Sequence, residues 1–432
     1  VTVVDGQVRV ETVDQAHLKQ WQQTRLLEVI EFAYANSALT GQLWDRAGVH
    51  PDDIRGITDF KRKVPLIRKP DVLAFAKQHG DPFGGLLGSE LGQCHAVGST
   101  SGTTGTPMPL PLTGGGAMQT ALARDFRMLG HRPGDYLVFN IPSFRPCHFG
   151  DFFQALDARP ILLDHSPRAS EALIEASLRF RPTVLYMLSS PLIQALAEYQ
   201  HNHSVDMHDV FSGYRAVIYG GEPLSRRLRA VVAGWGVQPI NHCAVADVQG
   251  ATECHARAGM HIWEDQVFVE CLDFDTLADV ADGEVGELVA TSLGRDHAPL
   301  VRFGSGDAVR LTHQPCQCGR THARIQIAGR KQDQVIVSGK SVFPQDVWDA
   351  VESVTETSAG LFQVLQSSHG SEVLHIRVGH ADPLRRSLAT VREELESLIG
   401  SQTGLDVSIE LVPAQALLQL GPPHKIPRVA RQ

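Results

Sequence analysis

At 432 residues the chain is too long for one ordinary hydrophobic core, and two or three domains are expected. Its 43% hydrophobic and 20% charged residues are those of a soluble globular protein, and a formal net charge of -9 argues against nucleic acid or an anionic membrane as the main partner. No apolar run is long enough to cross a bilayer, and the N-terminal VTVVDGQVRVETVDQ lacks a basic-then-apolar signal pattern, so a cytoplasmic location is the expectation. Seven scattered cysteines make a disulfide framework a poor reading.

The first ninety residues read as helices. Apolar positions at helical spacing run from 18 to 48 and stop at Gly48, and shorter helices punctuated by proline follow over 49–60 and 64–78. From about Asp135 the pattern turns to buried strands (DYLVFNIP, RPILLD, PTVLYML, YRAVIYGG) separated by helices at 170–180, 192–202 and 226–236. That alternation predicts an α/β architecture with mostly parallel sheets. Between GELVATSL and DAVRLT strands follow one another directly, which suggests a β-rich subdomain. After GRKQDQVIVSG the order helix, strand, strand, helix, strand describes a compact α+β unit. The expected division is residues 1–329 as a large N-terminal domain and 330–432 as a small, mobile C-terminal one.

Between apolar flanks lies STSGTTGTP, Ser99 to Pro107. Glycine permits close backbone approach, and the hydroxyls supply neutral donors to phosphate oxygens. No G-K-[ST] follows, so the stretch is not a Walker A loop. Later in the chain come YGGEPL (219–224), RFGSGD (302–307), GRKQD (329–333) and PPHKIPRV (422–429). This ordered series resembles the adenylate-forming superfamily of acyl-CoA synthetases, and more narrowly the phenylacetate–CoA ligase family. The similarity extends to AGVHPDDIRGITDFKRKVPLIRKPDV near the N-terminus, ECHARAGMHIWED in the middle, and CQCGRTHARIQIAGR later.

The resemblance implies a ligase that uses ATP to activate a small aromatic acid as an aryl-adenylate and then forms a thioester. Coenzyme A is the implied thiol, with the phosphopantetheine of a carrier protein as the near alternative and a catalytically weakened nucleotide-binding scaffold as the distant one. In that family pattern Ser99, Thr100, Ser101, Gly102, Thr103, Thr104 and Gly105 wrap the phosphates, Gly221, Glu222 and Pro223 line adenine, and Asp307 with Arg330 holds the ribose. Lys425 would bridge the substrate carboxylate and the α-phosphate, then leave as its domain swings. Three departures stand out: Thr106 replaces a usual Lys, Gln332 occupies the hinge position, and the Tyr-Gly segment that serves adenine and Mg²⁺ is eroded. Asp247 and Glu253 both remain open for the Mg²⁺ role, with Asp247 preferred.

Cys254, His261, Cys316 and Cys318 form a C-x₆-H plus C-x-C set suited to a structural Zn²⁺, with His255, Cys271 and His313 as competitors. Phe144 and His148, in PSFRPCHFGDFF, add bulk and polarity beside the implied aryl pocket, which favours a hydroxy- or aminobenzoate-like acid. A homodimer is left open.

Overall fold

The computed structural model describes residues 3–4, 7–8, 10–87, 94–100, 106–113, 117–141, 150–164, 166–221, 223–294, 298–366, 371–381, 383–420 and 426–431. Among the expected site residues, Ser101, Gly102, Thr103, Thr104, Gly105, Phe144, His148, Glu222 and Lys425 lie outside them. Among the described residues no helix is long and apolar enough to cross a membrane.

Two helices, Gln15–Asn36 and Ala38–Ala47, replace the single one expected over 18–48. The break is at Ser37, whose backbone is extended and whose Oγ accepts from the Thr40 N–H at 3.3 Å while donating to the Gly85 carbonyl at 2.8 Å. A serine that can cap a new helix competes with continuing the old one. The helix expected over 64–78 is shorter as well. Ile67–Arg68 is a strand, and the helix proper is Lys69–His79, where the Asp71 carboxylate accepts the Arg68 N–H at 2.8 Å.

A twelve-stranded mixed sheet organises the large unit. Its parallel half runs Arg159–Asp164, Tyr136–Ile141, Val184–Leu188, Ala216–Tyr219 and Pro239–Val245. Helices cover both faces of this half. Leu185, Leu188, Val217 and Tyr219 pack under helices on one side, while Phe139, Ile218 and Ile240 meet Phe126 and Phe152 on the other. Fully covered faces explain why the central strands Tyr136–Ile141, Val184–Leu188 and Ala216–Tyr219 read as apolar runs, while the edge strand Arg159–Asp164 is largely exposed.

The sheet continues without a gap into an antiparallel half: Gln249–Glu253, Met260–His261, Arg324–Arg330, Phe303–Thr312, Val285–Ser292 and Val267–Leu272. The β-rich portion is therefore joined edge to edge to the parallel strands. Ile67–Arg68 pairs parallel with Phe303–Gly304 at its margin.

Residues from Val335 onward have their own core of Val347, Phe362, Val364, Leu374, Ile376, Val391 and Leu395. It lies against a four-stranded sheet ordered Asp406–Pro413, Val373–His380, Phe362–Gln366, Val429–Arg431. The second helix of this unit is Leu388–Thr403, and it starts there because the Ser387 Oγ accepts the Thr390 N–H at 3.2 Å. The last strand, absent from the sequence reading, docks parallel to Phe362–Gln366.

Candidate active site

The hub of the site is the strand Phe303–Thr312. Arg68 enters beside it and forms a two-point ion pair with Glu287, whose side chain is fully buried, with Nη2 at 2.8 Å from Oε2. Gly304 makes room for this pair, since a Cβ there would stand 2.8 Å from Arg68 Nη1 and 2.9 Å from Glu287 Oε1. Glu287 also accepts the Gly306 N–H at 3.2 Å. The Ser305 Oγ donates to the Leu288 carbonyl at 2.8 Å and accepts the Asp307 N–H at 3.0 Å. Backbone and side chains thus fix the turn that presents Asp307.

Asp307 pairs in register with Arg330 across the neighbouring strand, and its Oδ1 lies 3.0 Å from Arg330 Nε. Gly329 precedes Arg330 at φ +154°, with Phe343 packed so closely that a Cβ would fall 2.5 Å from its ring. Immediately after Arg330 the chain makes a 3₁₀ turn, Lys331–Asp333, which contains Gln332. Lys331 anchors it by donating to the Phe274 carbonyl at 2.6 Å.

Asp247 sits at the tip of the hairpin between Pro239–Val245 and Gln249–Glu253, where Ala246 and Asp247 adopt left-handed φ values of 48° and 58°. Lys69 feels both this carboxylate and Arg330. Its partial burial, with repulsion from Arg330, holds the ammonium below its ordinary value, and Asp247 opposes the shift. Glu253 lies at the far end of the same hairpin, where it accepts the Asn241 N–H at 3.0 Å. The two carboxylates weighed for Mg²⁺ are therefore separated by a strand, and Asp247 is the one grouped with Lys69 and Arg330.

Gly221 follows the strand Ala216–Tyr219 at φ +105°, and Tyr219 Oη meets Ser190 Oγ at 2.7 Å and the Pro223 carbonyl at 3.4 Å. Ser99 ends the strand Cys94–Ser99, which pairs with Pro109–Thr113. Thr100 closes the hairpin below the Ser/Thr/Gly loop: its N–H donates to the Met108 carbonyl and its Oγ1 accepts the Met108 N–H, both at 2.9 Å.

A buried polar chain crosses from helix to sheet. Asp125 is fully buried, with Oδ2 accepting from Thr252 Oγ1 at 2.7 Å and Oδ1 from Trp263 Nε1 at 3.0 Å. Burial pushes its carboxyl up to about 8, although those two hydrogen bonds work against the shift. Thr252 Oγ1 in turn lies 2.7 Å from His242 Nδ1, and His242 Nε2 lies 3.3 Å from Tyr186 Oη.

In the antiparallel half, Cys254, His261, Cys316 and Cys318 converge, with one ligand atom from each within 4.8 Å of the others. Cys254 Sγ and Cys316 Sγ are 3.7 Å apart, and Cys318 Sγ is 3.3 Å from His261 Nε2. Zinc–sulfur bonds of about 2.3 Å at tetrahedral angles require a sulfur–sulfur separation of roughly 3.8 Å. His261 Nδ1 lies 3.3 Å from the His322 carbonyl, which places the proton there and turns Nε2 toward the sulfurs. Burial, joined by the Arg320 charge, lowers the imidazole to about 4 and so keeps it neutral. Burial raises the Cys254 thiol to about 12, so a cation is needed to draw off its proton. The donor set fits zinc. The competitors stand elsewhere: Cys271 Sγ faces the Val309 carbonyl at 3.6 Å, His313 Nδ1 pairs with Asp282 at 3.1 Å, and His255 is exposed.

Three features carried no role in the sequence reading: Lys69, the Arg68–Glu287 pair, and the Asp125–Thr252–His242–Tyr186 chain. Lys69 and Arg68 lie within a segment that resembles the family, but only the fold shows what they face. No sequence signal joins Tyr186 to His242 or either of them to Asp125.

A model of the family described as AMP-binding enzyme matches residues 94–294. The phenylacetate-coenzyme A ligase of Thermus thermophilus is 30% identical over 445 residues, covering 94% of this chain and 95% of that protein. The enzyme of the same name from Escherichia coli is 27% identical, over 87% of this chain and 83% of that one. A crystal structure of 2-hydroxyisobutyryl-CoA ligase in the postadenylation state, in complex with R3-HIB-AMP, superposes with a TM-score of 0.83 at 23% identity, covering 98% of this chain and 91% of that one.

Proposed function

Because the chain belongs to the phenylacetate–coenzyme A ligase family of AMP-binding enzymes, we propose that it joins a small aromatic acid of the hydroxy- or aminobenzoate type to coenzyme A. An acid oxygen attacks the α-phosphorus of ATP and pyrophosphate leaves, giving the acyl-adenylate. The thiol sulfur of coenzyme A then attacks the acyl carbon and AMP leaves.

The observation that carries this reading is the Asp307–Arg330 pair at 3.0 Å, held on a turn over-determined by Arg68, Glu287 and Ser305. Its carboxylate and guanidinium match the two hydroxyls of a ribose, donor against acceptor. Gly221 and Pro223, with Glu222, would border the adenine, and Ser99 to Gly105 would take the phosphates. Asp247 would hold Mg²⁺, whose charge offsets that of the phosphates. Lys69 adds a fixed cation beside it. Lys425 would bring a second cation on the C-terminal unit, residues 330–432, and withdraw it before the thiol arrives. Zinc at Cys254, His261, Cys316 and Cys318 would be structural, since four protein ligands leave no position for substrate.

Pyrophosphate release is to be followed over a panel of aromatic acids, each with and without coenzyme A. Release that depends on the acid, with thioester appearing only when coenzyme A is present, is the expected result. Release with no dependence on any acid refutes it.

A further inference from the structure

In the middle of the parallel half the pairing slips by one residue. Leu185 stands opposite Val217 and Leu188 opposite Tyr219, so Tyr186 and Met187 together face the single residue Ile218. Met187 makes the slip with a left-handed φ of 64°, which a residue bearing a Cβ seldom adopts inside a strand. Bulges of this kind re-aim a side chain, and backbone strain that a fold retains gathers at working sites.

Two hydrogen bonds hold the bulge. Asn140, fully buried near the end of the adjoining strand, donates from Nδ2 to the Met187 carbonyl at 3.2 Å. One residue on, the Leu188 carbonyl accepts the Gly220 N–H at 3.2 Å. The re-aimed thioether lies on Gly220, where a Cβ would stand 2.9 Å from Met187 Sδ and 3.4 Å from its terminal methyl. At Gly221, the next residue of the turn, a Cβ would meet no described atom within 4 Å. The turn is therefore filled at Gly220 by Met187 and open at Gly221. It follows Tyr219 at the carboxyl ends of the parallel strands, the end at which an open α/β sheet takes its ligands.

We propose that Met187 is a positioning residue for the nucleotide: bulged from its strand and held there by Asn140, its thioether supports Gly220 and so sets where the Gly220–Gly221 turn meets adenine. This rests on the adenylate-forming reading above, in which Gly221, Glu222 and Pro223 border the base. A thioether suits the task, because it fills an irregular gap against backbone without needing a hydrogen-bond partner. Without it Gly220 can settle into the space and draw the turn away from the base. Because the turn meets the base and not the phosphates, Met187 acts on the affinity for the adenosine half of ATP.

The test measures Kd for ATP and for AMP by calorimetry, with inhibition by pyrophosphate as the control for the phosphate end. Met187→Gly removes the thioether and relieves the backbone at the same time, so the fold should persist. It should raise Kd for ATP and for AMP by the same factor, about fivefold, and leave pyrophosphate inhibition unchanged. Met187→Leu, of similar volume, should recover most of the loss. Asn140→Ala, which frees the Met187 carbonyl, should shift both affinities in the same direction by less. Gly220→Ala should weaken ATP by itself. Combined with Met187→Gly it should cost less than the product of the two single losses, since the new Cβ enters the space that the sulfur left. Unchanged affinities in Met187→Gly, an equal loss for pyrophosphate, or independent effects in the double variant overturn this inference and leave the ligase reading standing. A wild-type protein that binds neither ATP nor AMP and shows no acid-dependent pyrophosphate release overturns both.

Discussion

Asp125 lies on the helix Ala117–Met128 with both carboxylate oxygens engaged, by Thr252 and by Trp263, and with no exposure to water. Burial is the larger effect and lifts its carboxyl to about 8. Between the ordinary carboxylate value near 4 and about 8, the folded chain holds a proton that the unfolded chain has released. Stability from this group therefore falls as pH rises across that window. Asp125→Asn, which cannot ionise and whose amide can donate to Thr252, should be more stable than wild type, with an advantage larger at pH 8 than at pH 5. Urea unfolding at the two pH values measures it, and an equal advantage at both would refute the assignment. Single residues of this kind were poorly legible in the sequence. Asp307 and Arg330 could be read because each stands in a short motif, whereas Asp125 and His242 stand in ordinary helical and strand sequence. Their environment comes from residues far along the chain.

Strands and turns set the geometry at the next scale, and the strand Phe303–Thr312 shows how. It receives Arg68 from one side and Glu287 from the other, positions 219 residues apart in sequence, so no local pattern announces their pairing. Removing one member strands the other: Arg68→Met would leave the fully buried Glu287 carboxylate without its cation. Loss of a partner from a buried pair costs about 3–5 kcal/mol, and the partial exposure of Arg68 argues for roughly 2–3 kcal/mol here. The Gly306 N–H depends on the same carboxylate, so the KM for ATP should rise together with the loss of stability. Denaturant unfolding and ATP titration check both, and an unchanged KM would mean that the pair serves only the core. Metal-ligand spacing was more legible, because C-x₆-H and C-x-C are local even though their convergence is not. Cys316→Ser should cost the protein its zinc, about one ion per chain in the wild type, and lower Tm by roughly 5 °C or more while ATP affinity persists. Elemental analysis that finds no zinc in wild-type protein purified without chelators would count decisively against the site. The helix break at Ser37 was missed for the opposite reason: apolar spacing continues across it, and only the capping hydroxyl marks the boundary.

At the scale of the whole molecule, the alternation of strands and helices was enough to read four strands of the parallel half, the central ones apolar on both faces, whereas Pro239–Val245, which carries Asn241 and His242, was not read. The continuous join to the antiparallel half was not readable, since pairing between strands distant in sequence leaves no periodic trace. The division near residue 330 has a physical basis in separate cores. The C-terminal one is closed by Val347, Phe362, Ile376 and Leu395, and beside the packing of Phe343 on Gly329 there are polar contacts across the division. They include Lys331 on the Phe274 carbonyl at 2.6 Å and Arg226 with Asp349 at 3.2 Å, the latter pair largely exposed and therefore weak. The residues just after Lys425 belong to the C-terminal core: Ile426 is buried, the Pro427 carbonyl accepts from Gln363 at 2.9 Å, and Arg428 lies 3.8 Å from the centroid of the Trp348 ring. Lys425 is joined in sequence to this segment, so the role in adenylation proposed for it belongs to the small unit. A fragment of residues 331–432 should fold alone, with a cooperative melt followed by circular dichroism. The complementary fragment, 1–330, retains Asp307, Arg330, Asp247 and Lys69 and should still bind ATP. Without Lys425 its acid-dependent pyrophosphate release should fall by about 10²–10³-fold. Undiminished release from the 1–330 fragment would show that the small unit contributes no group to adenylation, and Lys69, the cation already fixed beside Asp247, would then have to supply that charge alone.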